Sequence, residues 1–255
     1  MKIRGLFLGL GILMFTLTGC FHDGLDLDTI DWNRSSDTEV ISASFCCGFT
    51  TFLFVQNYIA DATVWGDGRV VWTSTDESGL RSVWEGFLSQ DELVGLVRDA
   101  AQKGFFGWDD LYEDRRIADI ATQCLNITLL TLEKSVCEYY QGAPAAFHTI
   151  FDHLASGAGV QNFGPFNPET GYLVALKMTF NEPPTPDQVS ADWDASDLVF
   201  SLTDATDGAW VQDKALHRAW EIVNQGIWSN IVHEDDTYYE ISLRIPGLSF
   251  TDIIE

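Results

Sequence analysis

The sequence predicts an α+β protein built as two small subdomains, each a mainly antiparallel sheet covered by one or two helices. Stretches rich in β-branched and aromatic residues alternate with amphipathic stretches of helical period in both halves of the chain. A run concentrated in Gly, Pro and Asn, Gly157 to Gly171, separates those halves. An apolar share of 46% with nine tryptophans supplies enough hydrophobic surface for folded cores and argues against disorder. The expected organisation is a leader over 1–19, an acidic tether over 20–37, a first subdomain over 38–157 and a smaller second one over 158–255.

The leader begins with Lys2 and Arg4, continues through the mostly apolar stretch Leu6 to Leu17, and ends in small Thr18 and Gly19 before Cys20. At 1.5 Å per residue the apolar stretch covers about 18 Å, against a bilayer core of about 30 Å, so it reads as an export signal rather than a spanning helix. The tetrad Leu17-Thr18-Gly19-Cys20 resembles the bacterial lipobox. That resemblance implies lipidation of Cys20, which would become the mature N-terminus, and places the chain in the cell envelope as a lipid-anchored, extracytoplasmic protein. The membrane is then a partner through this lipid alone. With 38 acidic against 14 basic side chains, the surface repels phosphate and anionic headgroups, which excludes nucleic acid as a partner.

The tether carries Asp23, Asp26, Asp28, Asp31 and Asp37. These could chelate calcium instead of serving as a spacer, but they lack the alternation and the Gly turn of a calcium loop. No cofactor motif is present. In the body, Thr38 to Phe45 and Thr50 to Tyr58 read as strands around Cys46-Cys47-Gly48. Asp61 to Trp65 and Arg69 to Thr73 flank Gly66-Asp67-Gly68, and a two-residue turn at Asp67-Gly68 sets Trp65 and Trp72 on one face. Exposed there, the two indoles would form a platform for a sugar ring or an apolar peptide; turned inward, they fill the core.

A helix from Gln90 to Lys103 has unusually complete signals. Ser89 and Glu92 make a capping box, Leu88 and Leu93 a hydrophobic staple, and Gly104 a left-handed stop. Strands follow over about Gln123 to Leu132 and Ser135 to Tyr140, then a helix from Pro144 to about Ser156 with Phe147, Ile150, Phe151 and Leu154 on its apolar face. The second half reads as strands at Tyr172 to Phe180, Leu198 to Thr203 and Tyr238 to Ile245. A helix from Asp213 to Gln225 presents Leu216, Ala219, Trp220 and Val223 and is stopped by Gly226.

Export permits disulfides among Cys46, Cys47, Cys124 and Cys137. With a turn at Glu133-Lys134, Cys137 would face Leu130, leaving Cys124 about 20 Å along the strand and out of bonding range. A bridge from Cys46 or Cys47 to Cys124 or Cys137 is the expectation, with free buried thiols as the alternative.

The order of features resembles an uncharacterised group of bacterial exported proteins. The resemblance rests on Gly48-Phe49, the Gly66 to Trp72 hairpin, Gly104 to Phe106, the Tyr-x-Gly-Ala-Pro run at Tyr140 to Pro144, and Tyr239, Arg244 and Pro246 of the terminal strand. It spans most of residues 38 to 248. These are turns, caps and packing positions, so it implies a fold and no chemistry.

The body lacks a nucleophile elbow, a His-Glu-x-x-His helix, a phosphate loop and a dinucleotide fingerprint. His148 and His153 lie about 140° apart around a helix and cannot share a metal. The densest polar cluster is His233-Glu234-Asp235-Asp236, a candidate for cation binding or acid–base work, and otherwise a solvated loop. The leading functional expectation is a non-catalytic binding or structural role, with protein or glycan as unidentified partner. The runner-up is an exported hydrolase, possibly acting on glycans, that uses two carboxylates about 5 to 9 Å apart. A third is calcium-assisted adhesion.

Overall fold

The computed structural model describes residues 30–114, 116–180, 182, 184–185, 189–225 and 230–250. The leader, Cys20, the first part of the tether, Gly226 and Trp228 lie outside the described residues. The fold is α+β, with two mixed sheets.

The first sheet is built from β1 (Glu39–Cys47), β2 (Ala62–Trp65), β3 (Arg69–Thr75), β4 (Arg81–Phe87), β5 (Leu111–Glu113), β6 (Ala121–Thr128), β7 (Glu133–Tyr139) and β8 (Phe163–Pro165), in the spatial order β5-β7-β6-β1-β2-β3-β4-β8. All pairings are antiparallel except β5 with β7. One face carries Ile41, Ala43, Val64, Val70, Trp72, Leu125, Ile127 and Val136 into a core closed by two helices. The helix Gln90–Gln102 contributes Leu93, Val97 and Ala100, and the helix Ala145–Ala155 contributes Phe147, Ile150, Phe151 and Leu154. The capping box forms as the sequence predicts: Ser89 Oγ accepts from Glu92 N and Ser89 N donates to Glu92 Oε2 at 2.7 Å. Gly104 closes the helix at φ 92°.

The second sheet has the order β10-β12-β13-β9-β11, from β9 (Gly171–Lys177), β10 (Ala191–Asp192), β11 (Ala209–Val211), β12 (Ile231–Glu234) and β13 (Thr237–Arg244). The helix Asp213–Val223 buries Ala215, Leu216, Ala219, Ile222 and Val223 against Leu173, Ala175, Ile241 and Leu243. Ile59, Trp65, Val71 and Val83 of the first half join this second core, so the two halves share an apolar interface.

Several expectations are corrected. The segment Thr50 to Tyr58 contains a short helix, Phe52–Gln56, because Thr51 Oγ1 caps it by accepting from Phe54 N. Similarly, Leu198 to Thr203 is not a strand. Asp194 caps a turn at Ala195–Leu198, and Ser201 caps a 3-10 turn at Leu202–Ala205; both use side-chain acceptors that compete with strand pairing. The subdomain boundary moves beyond residue 157, since β8 adds to the first sheet beside β4. The tether is shorter than expected: Trp32 is 2% exposed and sits in the first core.

Both hairpin registers also differ. Ala62 faces Trp72 and Val64 faces Val70, so the loop between β2 and β3 has three residues, Gly66 to Gly68. Gly68 at φ 94° donates to Trp65 O. One extra loop residue shifts the pairing by one and turns Trp65 to the opposite face from Trp72.

In the β6–β7 hairpin, Glu133 is paired rather than turning, and the loop is Leu129 to Leu132. Cys124 therefore faces Cys137 directly, with Cα atoms 4.1 Å apart, and the two are disulfide-bonded. Cys46 and Cys47 pair with each other across a cis peptide bond. The expected bridge between β1 and this hairpin is thus not formed. The Cys124–Cys137 bond closes a sequence separation of 13, for which chain entropy gives about 3 kcal/mol. Replacing both cysteines with alanine is expected to lower the unfolding free energy by about that amount in a urea titration; an unchanged midpoint would show that the bond does not form.

Candidate functional site

The sequence-predicted cluster is taken apart by its own hairpin. β12 and β13 pair Glu234 with Thr237 around a turn at Asp235, φ 50°, and Asp236. His233 and Glu234, as neighbours on a strand, point to opposite faces. Glu234 is buried, accepting from Leu202 N and Ser201 Oγ, both at 3.1 Å, and so holds the 3-10 turn onto the sheet. His233 pairs through Nδ1 with Asp192 Oδ1 at 3.2 Å and lies against the Tyr238 ring, beside a shallow hollow of about 270 Å³. Asp235 is exposed in the turn. Glu234→Ala is expected to cost about 1–3 kcal/mol by leaving Leu202 N without its acceptor, measured by thermal or urea unfolding, whereas Asp235→Asn, which keeps a residue suited to the left-handed turn, changes stability by less than about 0.5 kcal/mol.

The tryptophan platform does not form. Trp65 is 3% exposed beneath the Arg69 guanidinium, which lies 3.9 Å from its ring centroid, and Trp72 is 5% exposed in the helix-covered core. Both serve packing, and Gly157 must lack a side chain because a Cβ there would lie 2.8 Å from the Trp72 ring. Among the described residues, no group of three or more His, Cys, Asp or Glu is placed to hold a metal ion. Of the acids considered for calcium, Asp31 is committed to Arg34, whose hydrogen bond holds its carboxyl below the usual value; Asp23, Asp26 and Asp28 lie outside the described residues.

What folding assembles instead is a cleft of about 480 Å³ on the face of the first sheet turned away from its helices. Its floor is Ser42 and Ser44 of β1, Thr63 and Trp65 of β2, Arg69 of β3 and Asn126 of β6. These residues share a face because Ser42 is paired with both Thr63 and Asn126. Asp37 and Glu39 stand exposed at the rim.

The far wall is Pro246 to Phe250, the segment that leaves β13. It is held by the Ile59–Ser249 bridge, by Phe250 N donating to Tyr58 O at 3.0 Å, and by Leu248 packing in the second core. Tyr58 in turn donates to Asp61 Oδ2 at 2.8 Å, and Phe45 N donates to both groups. Burial pushes the Tyr58 phenol and the Asp61 carboxyl above their ordinary values, so Tyr58 stays a neutral donor. Its ring meets Phe250 edge-on at 5.7 Å.

The polar groups of the floor are only partly used by the protein. Asn126 Nδ2 donates to Ser42 Oγ at 3.1 Å. Arg69 reaches Glu85 at 3.8 Å, but its Nε is buried without a hydrogen-bond partner. The hydroxyls of Ser44 and Thr63 belong to buried residues and have no hydrogen-bond partner among the described residues. Small polar residues alternating along β1 (Ser42, Ser44) and β6 (Cys124, Asn126) are the faint sequence trace of this face. Their convergence with Arg69 and Phe250 leaves no local signal. No family model, curated protein or solved structure matches the chain.

Proposed function

We propose that this chain is an extracytoplasmic binding module, held at a membrane by lipid on Cys20, that engages its ligand in the cleft beneath the 246–250 segment without covalent catalysis. The observation that carries this reading is the character of the floor: uncharged hydroxyl and amide groups with one guanidinium, buried or half-buried and incompletely paired among the described residues. Polar groups so placed supply directional hydrogen bonds to a ligand at little cost in side-chain ordering. Hydrolysis by a carboxylate pair finds less support. Asp37 and Glu39 are exposed at the rim rather than set into the floor, and Asp61 is committed to Tyr58 and Phe45.

The anchor follows from the leader pattern. Each buried methylene adds about 0.8 kcal/mol to membrane association, so two or more acyl chains would retain a body whose acidic surface is itself repelled by anionic lipid. Expression in a bacterium with an alkyne-bearing fatty acid is expected to label the wild-type protein in the membrane fraction. Cys20→Ala is expected to abolish labelling and leave the leader uncleaved. A protein of intact mass starting at Met1 in the cytosolic extract would overturn the anchoring part of the proposal.

A further inference from the structure

We infer that the cleft takes a neutral polyhydroxylated ligand, a saccharide unit, and this rests on the binding-module reading above. The argument turns on which charges the cleft lacks. A cation would require carboxylates in the floor, but Asp37 and Glu39 are confined to the rim. An anion would require a cluster of donors with net positive charge, but Arg69 is the one cation among the described lining residues and Glu85 lies beside it. What remains is a floor that both donates and accepts.

Ser42 Oγ accepts from Asn126, which leaves its proton free to donate, and the Asn126 carbonyl oxygen is left free to accept. Ser44 and Thr63 can each do both. A sugar hydroxyl likewise donates and accepts, so such a floor matches its ring substituents in a way that a charged group cannot use. At the rim, Phe250 is 57% exposed and presents an aromatic surface to the apolar face of a sugar ring. The volume of about 480 Å³ lies within the range of small-ligand clefts, about 300–1,000 Å³.

The test uses the mature protein and its Ser44→Ala/Thr63→Val double variant, titrated calorimetrically and melted with neutral mono- and disaccharides such as glucose, N-acetylglucosamine and cellobiose, and with hexose phosphates and amino sugars as charged counterparts. Because neither hydroxyl has a partner among the described residues, the double variant is expected to melt at the wild-type temperature without ligand. At least one neutral sugar should raise the wild-type melting temperature, and the double variant should bind it about tenfold more weakly. Phe250→Ala should weaken the same sugar, with the unliganded melt lowered only by the lost edge-on contact to Tyr58. Binding of a neutral sugar that the double variant retains in full would place it elsewhere and overturn the inference. Binding of charged sugars alone, lost in the double variant, would overturn the ligand class and leave the binding module standing. If no compound in either series binds, the saccharide inference falls; a peptide or protein captured by wild type and lost by the double variant would then uphold the module reading on its own.

Discussion

Trp32→Ala is expected to lower the unfolding free energy by about 3–5 kcal/mol, the cost of emptying a large aromatic site in a core. The indole is 2% exposed and packs in the core of the first sheet. Its Nε1 donates to Gly66 O at 3.0 Å, in the loop between β2 and β3. The neighbouring Asp31 carbonyl accepts from Leu130 N, in the loop between β6 and β7. One short segment therefore pins the turns of two hairpins that are distant in sequence. Gly66 cannot carry a side chain at this junction, since a Cβ would lie 1.9 Å from Asn33 O. Urea titration is the measurement, with the transition expected at a lower midpoint and unchanged slope. Trp32→Phe should fall between, retaining burial but losing the indole donor, for about 1–2 kcal/mol. A loss below about 1 kcal/mol for Trp32→Ala would show that the segment is a tether after all.

The second large effect is expected at Arg81, which joins the two halves. Its Nε donates to Asn224 Oδ1 at 2.6 Å, Nη1 to Asn57 O at 2.9 Å and Nη2 to Val223 O at 3.4 Å. Val223 ends the helix Asp213–Val223, whose last carbonyls carry partial negative charge, so the guanidinium caps that terminus. Asn57 extends the connection, since its Oδ1 accepts from Leu243 N on β13. Burial pushes the Arg81 guanidinium down to about 10, still charged at neutral pH. Arg81→Ala removes two short charge-assisted bonds and a longer one and leaves their acceptors enclosed, an expected loss of about 3–5 kcal/mol. Arg81→Lys should recover only part, because an ammonium cannot span the three acceptors as a planar fork does. Amide hydrogen exchange provides a more local reading: the last turn of the helix should exchange faster in Arg81→Ala while the helix Gln90–Gln102 is least affected.

Local signals carried what was legible in advance. The helix after Ser89 was readable because its cap and closing glycine lie within one short stretch, and those interactions are formed between residues near in sequence. The apolar faces of the helices Ala145–Ala155 and Asp213–Val223 were readable for the same reason, through helical period. Loop lengths were the weak point. Reading the Gly66 to Gly68 loop one residue too short put Trp65 and Trp72 on a common face, and reading the β6–β7 turn at Glu133-Lys134 instead of Leu129 to Leu132 removed Cys124 from Cys137. A strand alternates every residue, so a small error at a turn inverts the chemistry of a face. The His233 cluster failed in the same way: adjacency in sequence became separation across the sheet, with Glu234 buried and Asp235 exposed.

The sequence by itself determined the α+β class and the three long helices, because each depends on residues within a turn or two of one another. Only the tertiary structure decided that Trp32 is core, that Arg81 links the halves, and that Ser42, Ser44, Thr63, Arg69, Asn126 and Phe250 converge on one cleft. The physical reason is that such groupings are created by strand pairing and chain reversal. Their members come from four strands and the last described segment of the chain, and no spacing along the polypeptide encodes which side of a sheet they will share.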